Sequence, residues 1–333
     1  MLNCASYHSR IIGTGSYLPP EKITNFDLEK LVKTDDAWIR ERTGIVSRRR
    51  AADNQSTSDL AYEASLIALA EADLDPRDLD MILVATISPD QIMPSTACVL
   101  QKKLGARDCM AFDLSAACTG FVYGMSIANE FLVNGTYKNI LIAGAEVMTR
   151  IVNYKDRDTC ILFGDGAGAA VMSGVEGGND SCVYSHHLHA DGKYGDLFEL
   201  LAGGSVMPLS QQVLDQDLQF MRMKGKEIYK QAVRTMSQCC REALDHNFLT
   251  PADISWVVPH QANTRILEAV ARNFDIPVEK VVIEIAEMGN TSAATVAVSL
   301  DRAIKDERIQ RGQIILLTAF GAGLTSGSLL MRY

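Results

Sequence analysis

Apolar residues fall along this chain in short continuous runs, separated by longer stretches with a helical rhythm of polar and apolar positions. Residues 57–73, TSDLAYEASLIALAEAD, predict an amphipathic helix entered through Ser, Thr and Asp capping residues. MILVATI (81–87) predicts a short buried strand, followed by a helix from about Ser95 to Leu104. CMAFDL (109–114) predicts another strand, leading into a helix that starts near Cys118 and runs to about Val133. NILIAGAEV (139–147) and AGAAVMS (167–173) read as two further buried strands. Short apolar runs alternating with helices indicate a mainly parallel sheet covered on both faces.

The order then recurs. A long helix over about 224–247 precedes the strand ISWVVP (254–259), and a helix from about Ala262 to Phe274 leads to VVIEI (281–285). A further helix starts near Thr291, and the strands IILLTAF (314–320) and GSLLMRY (327–333) close the chain. The two halves match in the order of their elements though not in sequence, which suggests a duplicated fold with a site between the halves.

Composition narrows the class. The chain has 333 residues, 47% hydrophobic and 22% charged, an ordinary globular balance whose length suits two domains or two halves sharing an interface. No apolar run reaches the roughly 18 residues needed to span a bilayer. The start, MLNCASYHSRIIGTG, has no long apolar stretch with a cleavage site, so a cytoplasmic location is expected. A net charge of −9 argues against nucleic acid as the main partner. Arg48-Arg49-Arg50 is the one dense basic run and is expected to be a solvated surface stretch. None of the eight cysteines forms a C-x-x-C pair, so most are expected to be buried small apolar residues.

Three segments carry candidate chemistry. Cys118, in DLSAACTGFVYG, sits between a predicted strand and helix, where free N–H groups and the helix dipole would favour a thiolate. On this segment alone, a nucleophile and an inert core cysteine stand level. His260, in WVVPHQANTRI, follows Pro259, which should end the strand ladder and leave the imidazole at the strand's C-terminal end. A satisfied structural histidine is the alternative for His260 alone. Asn290, in EMGNTSAA, precedes a helix at a position parallel to Cys118, where it would serve equally as an N-cap.

Together these motifs closely resemble the β-ketoacyl-acyl-carrier-protein synthase III family, the initiating condensing enzymes of dissociated fatty-acid synthesis. The resemblance runs from GTGSYLP (13–19) through WIRERTGI (38–45), PSTAC (94–98), the cysteine segment, DRDTCILFGDGAGAAV (156–171), HLHADG (187–192), PHQAN (259–263) and GNTSAA (289–294). It implies an α/β, thiolase-like five-layer αβαβα fold of two duplicated halves, 1–175 carrying the nucleophile and 176–333 carrying His and Asn. It also implies a homodimer and a Cys118-His260-Asn290 triad that joins an acyl-CoA primer, acetyl-CoA being expected, to a decarboxylated malonyl unit from malonyl-acyl carrier protein. Oxyanion charge would be met by the backbone N–H groups of Cys118 and Ala322, and enolate charge by His260 and Asn290.

The remaining matches concern binding. Trp38, Arg42 and Arg157 would hold coenzyme A, a substrate here and not a cofactor, and no metal is expected. Lys230, Arg265 and Arg272 match the family's basic patch for the acidic carrier protein, which a chain of charge −9 needs locally. Phe163 and Phe320 would wall the site. Met93, in SPDQIMPSTAC (88–98), would reach across the dimer to bound the partner's primer pocket.

Other readings fit less well. The chain lacks the cysteine-protease signature C-G-[SA]-C-[WY], and GDGAGAA (164–170) lacks the Lys-Ser/Thr of a P-loop. Histidines 186, 187 and 189 should lie on an extended segment and not at a metal. Asn290 argues against elongating condensing enzymes, which use two histidines, and no added carboxylate base of a hydroxymethylglutaryl-type synthase was identified. A starter enzyme of secondary metabolism shares the triad and is the runner-up. The family commonly reads G-G-G-F-T-W-G near its end where this chain has GAGLTSG, and residues 199–222 match no motif and are expected to form a flap near the site mouth.

Overall fold

The computed structural model describes residues 7–177 and 181–333, so Cys4 and the first six residues of the N-terminal segment lie outside the described residues. Two sheets organise the chain. The first contains β1 (Tyr7–Tyr17), β2 (Met81–Ala85), β3 (Met110–Leu114), β4 (Asn139–Glu146) and β5 (Gly166–Glu176), in the spatial order β1-β5-β4-β2-β3. The second contains β6 (Cys182–Ala190), β7 (Trp256–Pro259), β8 (Ile314–Gly321) and β9 (Thr325–Arg332), in the order β7-β8-β9-β6.

Helices fill three further layers. On the outer face of the first sheet lie α1 (Thr57–Glu71) and α2 (Thr96–Leu104). Between the sheets run α3 (Gly120–Val133) and α6 (Ala294–Lys305), and against the second sheet pack α4 (Gly225–Asn247) and, on α4, α5 (Thr264–Asn273). This is the five-layer αβαβα arrangement of the thiolase fold. Phe121, Val122 and Met125 of α3 join Leu83 and Ile142 of the first sheet to Leu317 and Leu329 of the second in one buried apolar cluster. Burying such side chains contributes about 1.5–3 kcal/mol each, so α3, and the cysteine at its entrance, is held from both sides.

Local signals explain several elements. Ser56 caps α1, its N–H donating to Asp59 Oδ2 at 2.8 Å. Gly13 and Gly15 let β1 lie directly under α1, because a Cβ at either position would come within 2.2 Å of a helix carbonyl, at Ala68 or Ala64. Among the described residues, no helix is long and apolar enough to cross a membrane.

Three expectations need correction. The sheets are mixed: β4–β5, β1–β5, β8–β9 and β9–β6 are antiparallel, while β2–β3, β2–β4 and β7–β8 are parallel. The short turn between β8 and β9 leaves no room for the crossover that a parallel pair needs. VVIEI forms no strand but a single bridge, Val257 to Val281. The buried Gln261 side chain occupies the place of a ladder, donating to Val282 O at 3.0 Å and accepting from Glu284 N–H at 2.8 Å. Arg48 is not solvated but fully buried, donating to Asn25 Oδ1 at 2.9 Å and Ile161 O at 2.6 Å. Its neighbours Arg49 and Arg50 do reach the surface.

Candidate active site

The chain leaves β3 at Leu114 and turns sharply through Ala117–Thr119 before α3 begins. Ala117 adopts φ +48°, a left-handed conformation that costs a non-glycine residue on the order of 1–3 kcal/mol and recurs at functional sites. The turn is pinned to the β8–β9 connection, since the Thr325 hydroxyl donates to Ala116 O at 3.0 Å and lies 3.0 Å from the Thr119 hydroxyl. Gly321 closes against Cys118: a Cβ there would sit 2.8 Å from the Cys118 nitrogen.

His260 stands just past β7. Its N–H donates to Thr318 O at 2.8 Å, so the ladder runs one residue beyond Pro259 before the chain turns away. The buried ring places Nδ1 2.6 Å from Thr295 Oγ1, and burial pushes its pKa down to about 3, which keeps the imidazole neutral. Asn290 is clamped through its backbone, donating to Leu162 O at 2.8 Å and accepting from Gly164 N–H at 3.1 Å. Its Oδ1 accepts from Ser292 N–H at 2.9 Å, which leaves the amide NH₂ as the end facing the cavity.

These three residues line one cavity of about 190 Å³. Phe163, Phe320, Phe198 and Ile228 form its apolar walls, and Arg42, Tyr229 and Arg265 stand at its rim. A larger cavity of about 540 Å³ beside Lys22, Arg50 and Arg150 contains no residue of the triad. The Cys118 thiol departs from expectation. Burial pushes it up to about 12, helped by the Glu146 carboxylate and opposed by a hydrogen bond from the thiol to Ser292 Oγ at 3.5 Å. A helix dipole is worth up to ~2 kcal/mol and does not offset that desolvation. The resting pair is therefore a neutral thiol and a neutral imidazole.

The binding candidates separate in space. Arg157 and Arg42 flank the Trp38 ring, their guanidinium carbons 4.7 and 5.6 Å from its centroid. Arg265 and Arg272 are exposed on α5, and Lys230 is exposed on α4 beside it. Ala322 lies half-buried in the β8–β9 turn, one residue past the cavity-lining Gly321. Met93 is 83% exposed and lies outside the cavity of its own chain. Residues 199–222 leave and return beside the cavity, because Phe198 and Met223, which pair across the segment's ends, both line it.

Sequence reasoning missed Glu146, Ser292 and Thr295, all buried around the triad. A signal for the first was available, as Glu146 is an acidic residue at the end of the otherwise apolar run NILIAGAEV.

This frame and this triad define a condensing acyltransferase of the thiolase fold. The model of the family 3-Oxoacyl-[acyl-carrier-protein (ACP)] synthase III matches residues 112–192, and that of its C-terminal region matches residues 244–333. The chain belongs to this family. It is 50% identical over 330 residues to the β-ketoacyl-[acyl-carrier-protein] synthase III of Caldanaerobacter subterraneus subsp. tengcongensis, covering 99% of each chain. The crystal structure of 3-oxoacyl-[acyl-carrier-protein] synthase III from Aquifex aeolicus VF5 is 44% identical, with a TM-score of 0.90 over 98% of this chain and 100% of that one. The priming β-ketosynthase of the R1128 polyketide biosynthetic pathway is 32% identical, with a TM-score of 0.90 over 98% of this chain and 96% of that one.

Proposed function

We propose that the protein joins an acyl-CoA primer to malonyl-acyl carrier protein in two half-reactions at Cys118, giving a 3-oxoacyl-carrier protein, CO₂ and coenzyme A. The observation that carries this reading is the convergence of Cys118, His260 and Asn290 on one apolar-walled cavity. Cys118 sulfur attacks the primer thioester, and the backbone N–H groups of Cys118 and Ala322 receive the oxyanion. Malonyl thioester then enters and loses CO₂, and its enolate attacks the acyl-Cys118 carbonyl. His260 and Asn290 donate to the enolate oxygen. With its one proton swung from Ser292 O to Nδ1, the Thr295 hydroxyl leaves the proton of the neutral ring on Nε2, the donor this step needs. The phenyl walls disfavour retention of a carboxylate. No metal or redox group takes part. The direct experiment is intact-mass analysis after exposure to a panel of acyl-CoAs, which also reads the primer.

Trp38 with its two arginines is a platform for the coenzyme's adenine and phosphates. The exposed Lys230, Arg265 and Arg272 form the docking face for the acidic carrier protein. Because Arg265 also stands at the cavity rim, Arg272 gives the cleaner test. Arg272→Glu is expected to raise KM for malonyl-carrier protein roughly three- to tenfold, about 1 kcal/mol, while acyl-CoA labelling is unchanged. Equal losses with both substrates would make Arg272 structural.

We further infer a homodimer. The edge strand β3 has a partner on one side only, and Ile92 and Met93 stand 88% and 83% exposed on the loop before α2, whose first N–H groups bind Asp113 of β3. A second copy placed there would cover both residues and bring Met93 toward its partner's primer pocket. Met93→Phe is then expected to narrow primer choice, lowering kcat/KM roughly tenfold per added methylene across a chain-length series. An unchanged profile would leave Met93 as filler.

A further inference from the structure

Beside the nucleophile lies a buried carboxylate that neither half-reaction above uses. Glu146 ends β4 with no solvent exposure, and among the described residues no Lys, Arg or His forms an ion pair with it. It is satisfied instead by neutral donors. Oε2 accepts from Thr86 Oγ1 at 3.1 Å, Ile87 N–H at 3.1 Å, Ser88 N–H at 3.1 Å and Ser88 Oγ at 2.5 Å. Oε1 receives a longer contact from Ile87 N–H at 3.3 Å. The Ser292 hydroxyl accepts from the Cys118 thiol at 3.5 Å and draws the pKa of this carboxyl down, and the strands bring the two segments together, since a Cβ at Gly166, which pairs with Glu146, would lie 3.4 Å from Thr291 Cγ2.

Ser292 is held for this position. Its φ of +48° is left-handed, its N–H donates to Asn290 Oδ1, and its carbonyl accepts from Thr295 Oγ1 at 3.0 Å. The turn that aims the Asn290 amide therefore also sets Ser292 between sulfur and carboxylate. A buried anion without a cation is costly and would repel an enolate formed nearby, so a structural role in pinning Ile87 and Ser88 would be served more cheaply by an amide.

We propose that Glu146 takes the Cys118 proton through Ser292 when the primer is transferred, and returns it when condensation expels the thiolate. This rests on the reading that Cys118 is the acyl carrier. In the first step, the Cys118 S–H proton passes to Ser292 Oγ as the Ser292 proton passes to Glu146. The S–C(acyl) bond forms, the acyl–S(CoA) bond breaks, and coenzyme A leaves as a thiolate that is protonated by water. In the second, CO₂ leaves the malonyl group, the enolate forms its C–C bond, and the S–C(acyl) bond breaks. Cys118 thiolate then recovers its proton through Ser292 from Glu146. One external proton is consumed per turnover, by the departing coenzyme A. Glu146 is neutral while malonyl thioester is decarboxylated, which removes the repulsion just described.

The titration behaviour is consistent with the geometry. Burial pushes the Glu146 carboxyl up to about 7, opposed by its hydrogen bonds to Ser88, Ile87, Ser292 and Thr86. Cys118 is the titratable group that faces it across Ser292, and His260 is held far lower. Because the acceptor must be ionised, acylation should rise with pH and level off above about 7.

The test is stopped-flow acylation of the full-length protein by acyl-CoA, without malonyl thioester, read by quenched mass spectrometry across pH. Ser292→Ala should slow acylation by about 100-fold and lose the limb near neutrality. Ser292→Gly, which relieves the left-handed strain, should behave alike and exclude misfolding as the cause. Glu146→Gln, which cannot take the proton, should slow acylation by a similar factor and lose the same limb. Wild-type rates and pH profile in the Ser292 variants or in Glu146→Gln would overturn the relay. If wild type itself is not acylated at Cys118, it is the function proposed above that fails.

Discussion

Cys118→Ser protein exposed to acyl-CoA is expected to keep its unmodified mass over the time that labels wild type completely, a loss of at least ~1000-fold in acyl transfer. A thiol already held near 12 by burial is a demanding nucleophile to activate, and a serine hydroxyl is far harder to deprotonate in the same closed pocket. An acyl-serine would also be an ester, less reactive toward the enolate than a thioester. The other described cysteines offer no substitute at the site: Cys98 is exposed, Cys109 is partly buried, and Cys160, Cys182, Cys239 and Cys240 are buried in other parts of the structure. Mass spectrometry of wild type and variant decides the point. An equal mass shift in both would take Cys118 out of the reaction.

The order of elements was largely legible because most of them announce themselves by period and by capping residues. Helix α2 spans Thr96–Leu104 against an expected start at about Ser95, which turns out to be its cap, and α4 spans Gly225–Asn247 against an expected 224–247. What sequence patterns miss is partnership. Strand β1 carries Gly13 and Gly15, poor strand residues by composition, which are there because α1 packs against them. VVIEI looks like a strand by composition, yet a side chain 20 residues upstream takes its hydrogen bonds. Arg48 has the composition of surface and the partners of a core residue, Asn25 and Ile161, both distant in sequence.

The site was legible where chemistry and local structure coincide. Cys118, His260 and Asn290 each stand at the junction of a strand or turn with a helix, and the fold brings those junctions to one cavity. The thiol's protonation state was not legible, because it depends on desolvation by distant segments and on Glu146, which the fold brings alongside from a strand 28 residues further on. Ser292 and Thr295 were hidden inside GNTSAATV, a string that reads as helix entry. Only the left-handed turn at Ser292 and the approach of His260 Nδ1 to Thr295 give those hydroxyls their places.

His260→Ala and Asn290→Ala are each expected to slow decarboxylation of malonyl thioester by about 100- to 1000-fold, the usual effect of removing one donor from a buried oxyanion site. Acylation of Cys118 should fall by less than about tenfold in either variant, because in the scheme above neither side chain handles the thiol proton. The asymmetry follows from the geometry. Asn290 Oδ1 is committed to Ser292 N–H, so its remaining NH₂ can only donate, and a donor serves an enolate and not a nucleophile. His260, with its pKa at about 3, is neutral across the working range. The decarboxylation rate should therefore show no limb from this ring between about pH 5 and 9. Release of labelled CO₂ beside intact-mass labelling, measured on the same preparations, separates the two steps. Equal losses in both would mean that His260 also moves the thiol proton, and would displace Glu146 from that role.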